Sequence, residues 1–204
     1  ADKNWCLAMK TITLPDKNFV QLFAFDSSYT NAEKGIAYMK YSVLFLSESV
    51  GSYPYKTVKA CTGALKAGAG MEYPTVTVVE GMIENDVVHE VGHNWFYGIL
   101  GSNERRYPFM DEGINTFYQL QIVGEPAGSR MIKPIQRIFG DNFTYSERNL
   151  WWLTGTLQSS RGADQVISNP ATEFSSINYG ALVYYRTAKN FLYLKGYLGD
   201  SLFN

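Results

Sequence analysis

The chain has 204 residues, 46% of them hydrophobic, enough to bury one substantial core without disulfide help. Its 18 basic side chains balance its 19 acidic ones and form no stripe, which argues against nucleic acid and anionic membrane surfaces as partners. No apolar run reaches the roughly twenty residues of a bilayer-spanning helix.

Alternation in Val20-Gln21-Leu22-Phe23-Ala24-Phe25 predicts an early strand. A helix is predicted from about Asn31 to Ser49, with Ile36, Met39, Val43 and Leu46 on one side. Strands follow over Lys56 to Cys61 and Thr75 to Val79, the second expected as the sheet edge on which a peptide could lie extended. The next helix is predicted from about Asp86 to Leu100 with Asn85 as its cap, and Glu112 opens another after a loop containing Pro108. Between Gly124 and Ser176, Pro126, Pro134 and Pro170 separate short helical pieces, and a last helix runs from about Tyr179 to Tyr197. Strands first and helices after is the order of an α+β domain: a small mixed sheet with an antiparallel edge strand, then a mostly helical half. One domain over residues 1–204 is expected, opening without an initiating Met or signal peptide and therefore inside a longer precursor.

The chemistry is concentrated in His89-Glu90-Val91-Gly92-His93. On a helix, positions i and i+4 stand one above the other, so two imidazoles can face a single zinc ion while Glu90, in an adjacent sector, holds a water as general base. A catalytic zinc takes three protein ligands and keeps a fourth position open. The chain's 2 histidines are both used, so the third ligand is a carboxylate or a thiolate. Six residues beyond His93, where a metzincin has its third histidine, stands Ile99. Cys6 and Cys61 lie far upstream in no metal-type spacing, which leaves Glu112 as the strongest candidate.

His-Glu-x-x-His, eighteen intervening residues, then Glu112 within Asp111-Glu112-Gly113 resembles the gluzincin zinc peptidases of the aminopeptidase N type. Gly51-Ser52-Tyr53-Pro54-Tyr55 is similar to that family's Gly-Pro-Tyr-Pro-Tyr, and Trp95-Phe96 follows the second histidine as it does there. The resemblance implies a thermolysin-like zincin catalytic domain, one Zn2+, and peptide substrates with a free N-terminus. It also implies flanking domains of the same parent chain, onto which this unit would dock.

Two roles come from the resemblance alone. Ala69-Gly70-Met71-Glu72-Tyr73-Pro74 is similar to the family's Gly-x-Met-Glu-Asn strand, so Glu72 would bind the substrate's α-ammonium, with Gly70 and Met71 beside the substrate. A carboxylate so placed restricts cleavage to the first peptide bond. Tyr184-Tyr185-Arg186-Thr187-Ala188 looks like the family's Tyr-x-Lys-Gly-Ala, making Tyr184 the donor to the tetrahedral oxyanion, with Tyr179 and Tyr185 as competitors. Ala69, Tyr73, Arg186 and Thr187 depart from the family pattern.

Other features have plainer readings. Thr116 and Gln119 fall one and two turns after Glu112 and are candidate hydrogen-bond partners for a ligating histidine, or simply pack. Trp151-Trp152 could line a substrate groove, but aromatic pairs are more often core. Arg105-Arg106 reads as a solvated turn, and Asn142-Phe143-Thr144 as a chance sequon. Two other functions fit the motifs: a gluzincin endopeptidase or non-peptide hydrolase, which has no use for an ammonium anchor, and a non-catalytic module in which zinc staples a peptide-binding fold.

Overall fold

A computed structural model of the chain describes residues 3–65, 70–124 and 147–203. The sequon at Asn142 and two of the expected breakers, Pro126 and Pro134, lie outside these residues. Two compact units form, one from Ala1–Ser102 with Leu198–Asn204 and the other from Asn103–Tyr197.

The first unit is a five-stranded mixed sheet with helices. β1 (Cys6–Thr13) and β2 (Phe19–Asp26) make an antiparallel hairpin with Met9 opposite Phe23. Helix α1 (Tyr29–Ser49) returns the chain to β3 (Thr57–Thr62), parallel to β2. β4 (Gly70–Met71) and β5 (Val76–Val79) complete the order β1-β2-β3-β5-β4. Asp26 fastens the turn into α1, its Oδ1 accepting from the Ser28 amide at 2.7 Å.

Alternation decides which sheet face is covered. Val20, Leu22, Ala24, Val58, Ala60 and Val79 are buried, as are Ala32, Ile36, Met39, Val43 and Leu46 along α1, which packs on β1, β2 and β3. This is the stripe that the spacing predicts. Helix α2 (Glu84–Gly92) then lies against α1, β4 and β5 through buried Val87, Val88 and Val91.

Three expectations are corrected here. β5 is not the sheet edge, because the two-residue strand β4 pairs antiparallel outside it, Met71 opposite Val78. Its shortness hides β4 from any periodicity. β1 has only Ala8 and Ile12 buried, so alternation did not mark it as a strand; backbone pairing with β2 makes it one. The histidine helix starts at Glu84 and ends at Gly92, with Ile83, not Asn85, at the N-cap position. Beyond it Phe96 (φ −91°, ψ 95°) and Tyr97 (φ 114°) leave helical geometry within a π-type segment, Asn94–Ile99.

The second unit is helical. A π-turn, Phe109–Gly113, leads into α3 (Ile114–Val123). Helix α4 (Glu147–Ser160) is a full 14 residues, longer than the short pieces expected. A π-helical stretch, Tyr179–Arg186, runs on into α5 (Thr187–Leu198). Trp151 stacks on Tyr185 (ring centroids 5.9 Å, planes 11° apart), while Trp152 Nε1 donates to the Tyr185 carbonyl at 3.0 Å. The tryptophan pair thus fastens α4 to the π-helical stretch. Arg186, the departure from the family's Lys, pairs with Asp164 at 3.2 Å and donates to the Gly155 carbonyl at 2.6 Å. Hydrogen bonds from Ser159 and then Arg186 hold the Asp164 carboxyl below its usual range.

The two π-type turns of this unit abut at Gly113. A Cβ there would lie 2.4 Å from Thr187 Cγ2 and 2.5 Å from the Val183 carbonyl oxygen, a backbone atom that cannot swing aside. Gly113→Ala is therefore expected to destabilise by roughly 1–3 kcal/mol, lowering Tm by roughly 2–12 °C for a chain of this size. Scanning calorimetry checks this, and an unchanged Tm would show that the turns have room.

Candidate metal centre and active site

Helix geometry stacks His89 over His93, and their Nε2 atoms stand 3.1 Å apart with ring planes at 86°. His93 is 1% exposed, and its Nδ1 lies 3.2 Å from the Phe96 carbonyl oxygen. A carbonyl can only accept, so Nδ1 holds the proton and Nε2 turns a lone pair toward His89. That carbonyl is in reach because the chain leaves the helix at Phe96.

The arrangement fits a zinc ion. Two imidazoles on one tetrahedral zinc at about 2.0–2.1 Å place their nitrogens about 3.3 Å apart, a few tenths of an ångström from what is seen. A carbonyl accepting from the far ring nitrogen is the usual way a ligating imidazole is oriented. The thiols do not compete: burial pushes the Cys61 thiol up, and its Sγ faces the Thr62 carbonyl at 3.5 Å.

Acidic groups gather on the same helix face. One carboxylate oxygen from each of Glu72 and Glu90 and one ring nitrogen of His93 all lie within 4.8 Å of one another. Glu90 is 5% exposed. Two carboxylates this close repel unless a cation sits beside them, so the cluster suits an ammonium or a metal ion. Gly70 makes the approach possible: a Cβ there would lie 2.4 Å from Glu90 Cγ and Cδ. Edge strand β4 therefore passes directly over the candidate base and delivers Glu72 immediately after it.

Behind the histidines the structure joins the two remaining resemblance motifs. Trp95 Nε1 donates to the Gly51 carbonyl at 2.7 Å, and the rings of Tyr53 and Trp95 stand 5.0 Å apart. Tyr53 is buried, which pushes its phenol above the ordinary value, and it donates to the Thr57 carbonyl at 3.1 Å. Between them Asn94, 5% exposed, donates from Nδ2 to the Val91 carbonyl at 2.9 Å and accepts at Oδ1 from the Thr75 amide at 3.0 Å. Sequence reasoning passed over Asn94; the one signal was a polar residue inside the run Trp95-Phe96 and the preceding motif.

In the second unit, Glu112 is half-buried in the π-helical turn Phe109–Gly113, two residues before α3 begins at Ile114 instead of opening it. Thr116 Oγ1 donates to the Glu112 carbonyl at 2.7 Å, one turn back on its own helix. That bond is local, within α3 and the turn before it, and Gln119 is half-buried on α3. Tyr184 packs edge-to-face on Tyr179 at 5.7 Å, while Tyr185 is the residue stacked on Trp151. The three tyrosines thus divide into a pair and one member committed to packing. Arg105 and Arg106 are exposed.

No protein-family model matches the chain, and no curated protein matches its sequence. Its fold is similar to solved structures of M1 zinc metallopeptidases. An M1 zinc metallopeptidase from Deinococcus radiodurans aligns at TM-score 0.64 and 18% identity over 97% of this chain and 42% of that one. A mutant of such an enzyme from the same organism, bound to a Tyr-Ser-Ala substrate, aligns at 0.64 and 17% with the same coverage. Aminopeptidase A of Legionella pneumophila, in complex with aspartic acid, aligns at 0.64 and 12% over 98% of this chain and 23% of that one. The chain spans less than half the length of these neighbours. At these identities the likeness is one of fold, a mixed α+β zincin-like architecture. Among the described residues no helix is long and apolar enough to cross a membrane.

Zinc titration of the metal-stripped chain is expected to saturate at one equivalent and to fail in His93→Ala. Thr116→Ala should bind as the parent does, within about twofold. A loss of the 10–100-fold typical of orienting partners would make Thr116 one.

Proposed function

We propose that the chain is the catalytic part of a zinc aminopeptidase. The observation that carries this reading is the gathering of Glu72 and Glu90 with His93, beside two imidazole nitrogens at zinc-ligand separation. His89 and His93 would hold the ion with Glu112 as third ligand, the last on its spacing and family resemblance. When bound, zinc lowers the pKa of a coordinated water from about 15.7 towards roughly 7 and polarises the scissile carbonyl.

The protein's own residues do the rest. Glu90 takes a proton from the water whose oxygen adds to the acyl carbon, then returns that proton to the departing amine nitrogen as the C–N bond breaks. Water is thereby split between the new carboxyl and the new amine. Glu72, at the end of β4, binds the substrate's N-terminal ammonium and sets the register so that only the first peptide bond reaches Glu90. Tyr184 donates its phenolic hydrogen to the oxyanion; a neutral donor aimed at developing charge helps most in a water-poor site. The peptide itself would lie along β4, the free edge, in extended form. That strand takes over the part expected of Thr75 to Val79.

Glu90→Gln should retain zinc and lose at least about 10²–10⁴ of the turnover, and full activity would sink the assignment. A mixed peptide library in free and N-acetylated versions, read by mass spectrometry, tests the specificity. Loss of single N-terminal residues from the free versions alone is expected. Cleavage of both would mean an endopeptidase; cleavage of neither, with zinc bound, a binding module. Gly70→Ala should retain zinc and lose about tenfold or more in kcat, because the new methyl displaces the Glu90 carboxylate by an ångström or so. Unchanged kcat would show that Glu90 does not need that clearance.

A further inference from the structure

The turn after Glu72 is held from an unexpected direction. Tyr73-Pro74-Thr75-Val76 closes with the Val76 amide donating to the Tyr73 carbonyl at 2.9 Å, and Thr75 has φ 60°. Proline second and a positive φ third mark a type II turn, whose third position favours glycine or asparagine. Here it is filled by a β-branched residue, for which a positive φ is strained and persists only where the surroundings impose it.

Two contacts of Thr75 impose it. The Thr75 carbonyl accepts from the Lys59 amide at 3.0 Å, continuing the β3–β5 ladder. Its amide, turned the other way, donates to Asn94 Oδ1 at 3.0 Å. Asn94 is itself fixed by its Nδ2, which donates to the Val91 carbonyl at 2.9 Å, with the Tyr53 hydroxyl, whose hydrogen goes to the Thr57 carbonyl, standing 3.4 Å from its Oδ1. One buried side chain, next in sequence to His93, thus ties the end of the histidine helix to the turn that follows Glu72.

We propose that Asn94 is a positioning residue that sets the distance between the Glu72 carboxylate and the Glu90–His93 pair, and through it the requirement for a free N-terminal amine. The proposal rests on the ammonium-binding role of Glu72. Its reasoning is mechanical. Glu72 follows the two-residue edge strand Gly70–Met71 and directly precedes the strained turn Tyr73–Val76. Without the Asn94 acceptor, Thr75 relaxes to negative φ and its amide is left without a partner, so the turn and the carboxylate before it shift. His89, Glu90 and His93, held by their helix, stay where they are. Loss of Asn94 therefore acts on substrate binding more than on proton transfer.

The test combines Asn94→Ala with Asn94→Asp, which keeps the acceptor, and Asn94→Ser as a second truncation should the alanine variant fail to fold. Amide hydrogen exchange at Thr75 is measured first, with zinc content and the unfolding transition as controls. Kinetics on free and N-acetylated peptide libraries follow. In the parent protein Thr75 should exchange slowly, and truncation should speed it by about tenfold or more. The same truncation should raise KM and reduce the preference for free peptides by about tenfold, with kcat within about threefold and zinc retained, and the aspartate variant, which keeps the acceptor for Thr75 but gives up the Nδ2 donor to Val91, should restore both in part. Fast exchange at Thr75 in the parent, or exchange unaltered by truncation, overturns the proposal. A preference for free peptides that survives truncation overturns it equally and leaves Glu72 as the anchor. Equal cleavage of free and acetylated peptides by the parent protein removes the anchor itself, and the positioning role with it.

Discussion

The chain must leave helical geometry at Phe96, three residues after His93, and most of the first unit's site follows from that constraint. Continued helix would commit the Phe96 carbonyl to a backbone amide further along. The break at Phe96 and Tyr97 turns that carbonyl onto His93 Nδ1, which fixes the tautomer and aims Nε2 at His89. The same break puts Trp95 against the Gly51–Tyr55 loop and Asn94 against Thr75. A regular helix from Asp86 to Leu100 would have kept the two imidazoles on one face and lost the group that orients one of them.

The opposite wall of the site is a strand edge. β4 is too short to have stability of its own, and it exists because β5 offers its backbone and α2 lies across both. Its closeness to Glu90 depends on Gly70 lacking a Cβ. Bringing an edge strand over the Glu90 carboxylate achieves two things. It narrows the space around the carboxylate, and it leaves the outer backbone groups of β4 as a template for another extended chain. Glu72, coming next, puts a carboxylate at the end of that edge, beside Glu90 and His93.

The second unit is held by close contacts of another kind. Glu112 and Tyr184 each sit in a π-type turn, a geometry often found at functional sites, and the two turns meet where Gly113 has no side chain. Trp151 and Trp152 brace the Tyr184 stretch from α4 by ring stacking and an indole hydrogen bond, and Arg186, at the end of that stretch, reaches back to the Gly155 carbonyl of α4 and to Asp164 beyond it. The aromatic pair that could have lined a groove is used instead to hold this stretch in place. Arg186, with five donors in a planar fork, reaches Asp164 and the Gly155 carbonyl together, which a lysine's point charge does less well.

Part of the geometry was legible in the order of residues. The His89/His93 pair and the adjacent Glu90 need only the i, i+4 geometry of one helix, and the buried stripe of α1 needs only its 3.6-residue period. Local rules suffice for these because each involves residues a turn apart. The identity of the edge strand, the end of the histidine helix at Gly92, the Phe96 carbonyl as imidazole partner and the clearance at Gly70 were decided by packing. So was the bond between Thr75 and Asn94, 19 residues apart in the chain. Each depends on groups that meet only once the sheet and helices have assembled, and a contact between distant segments leaves no periodic trace in either one.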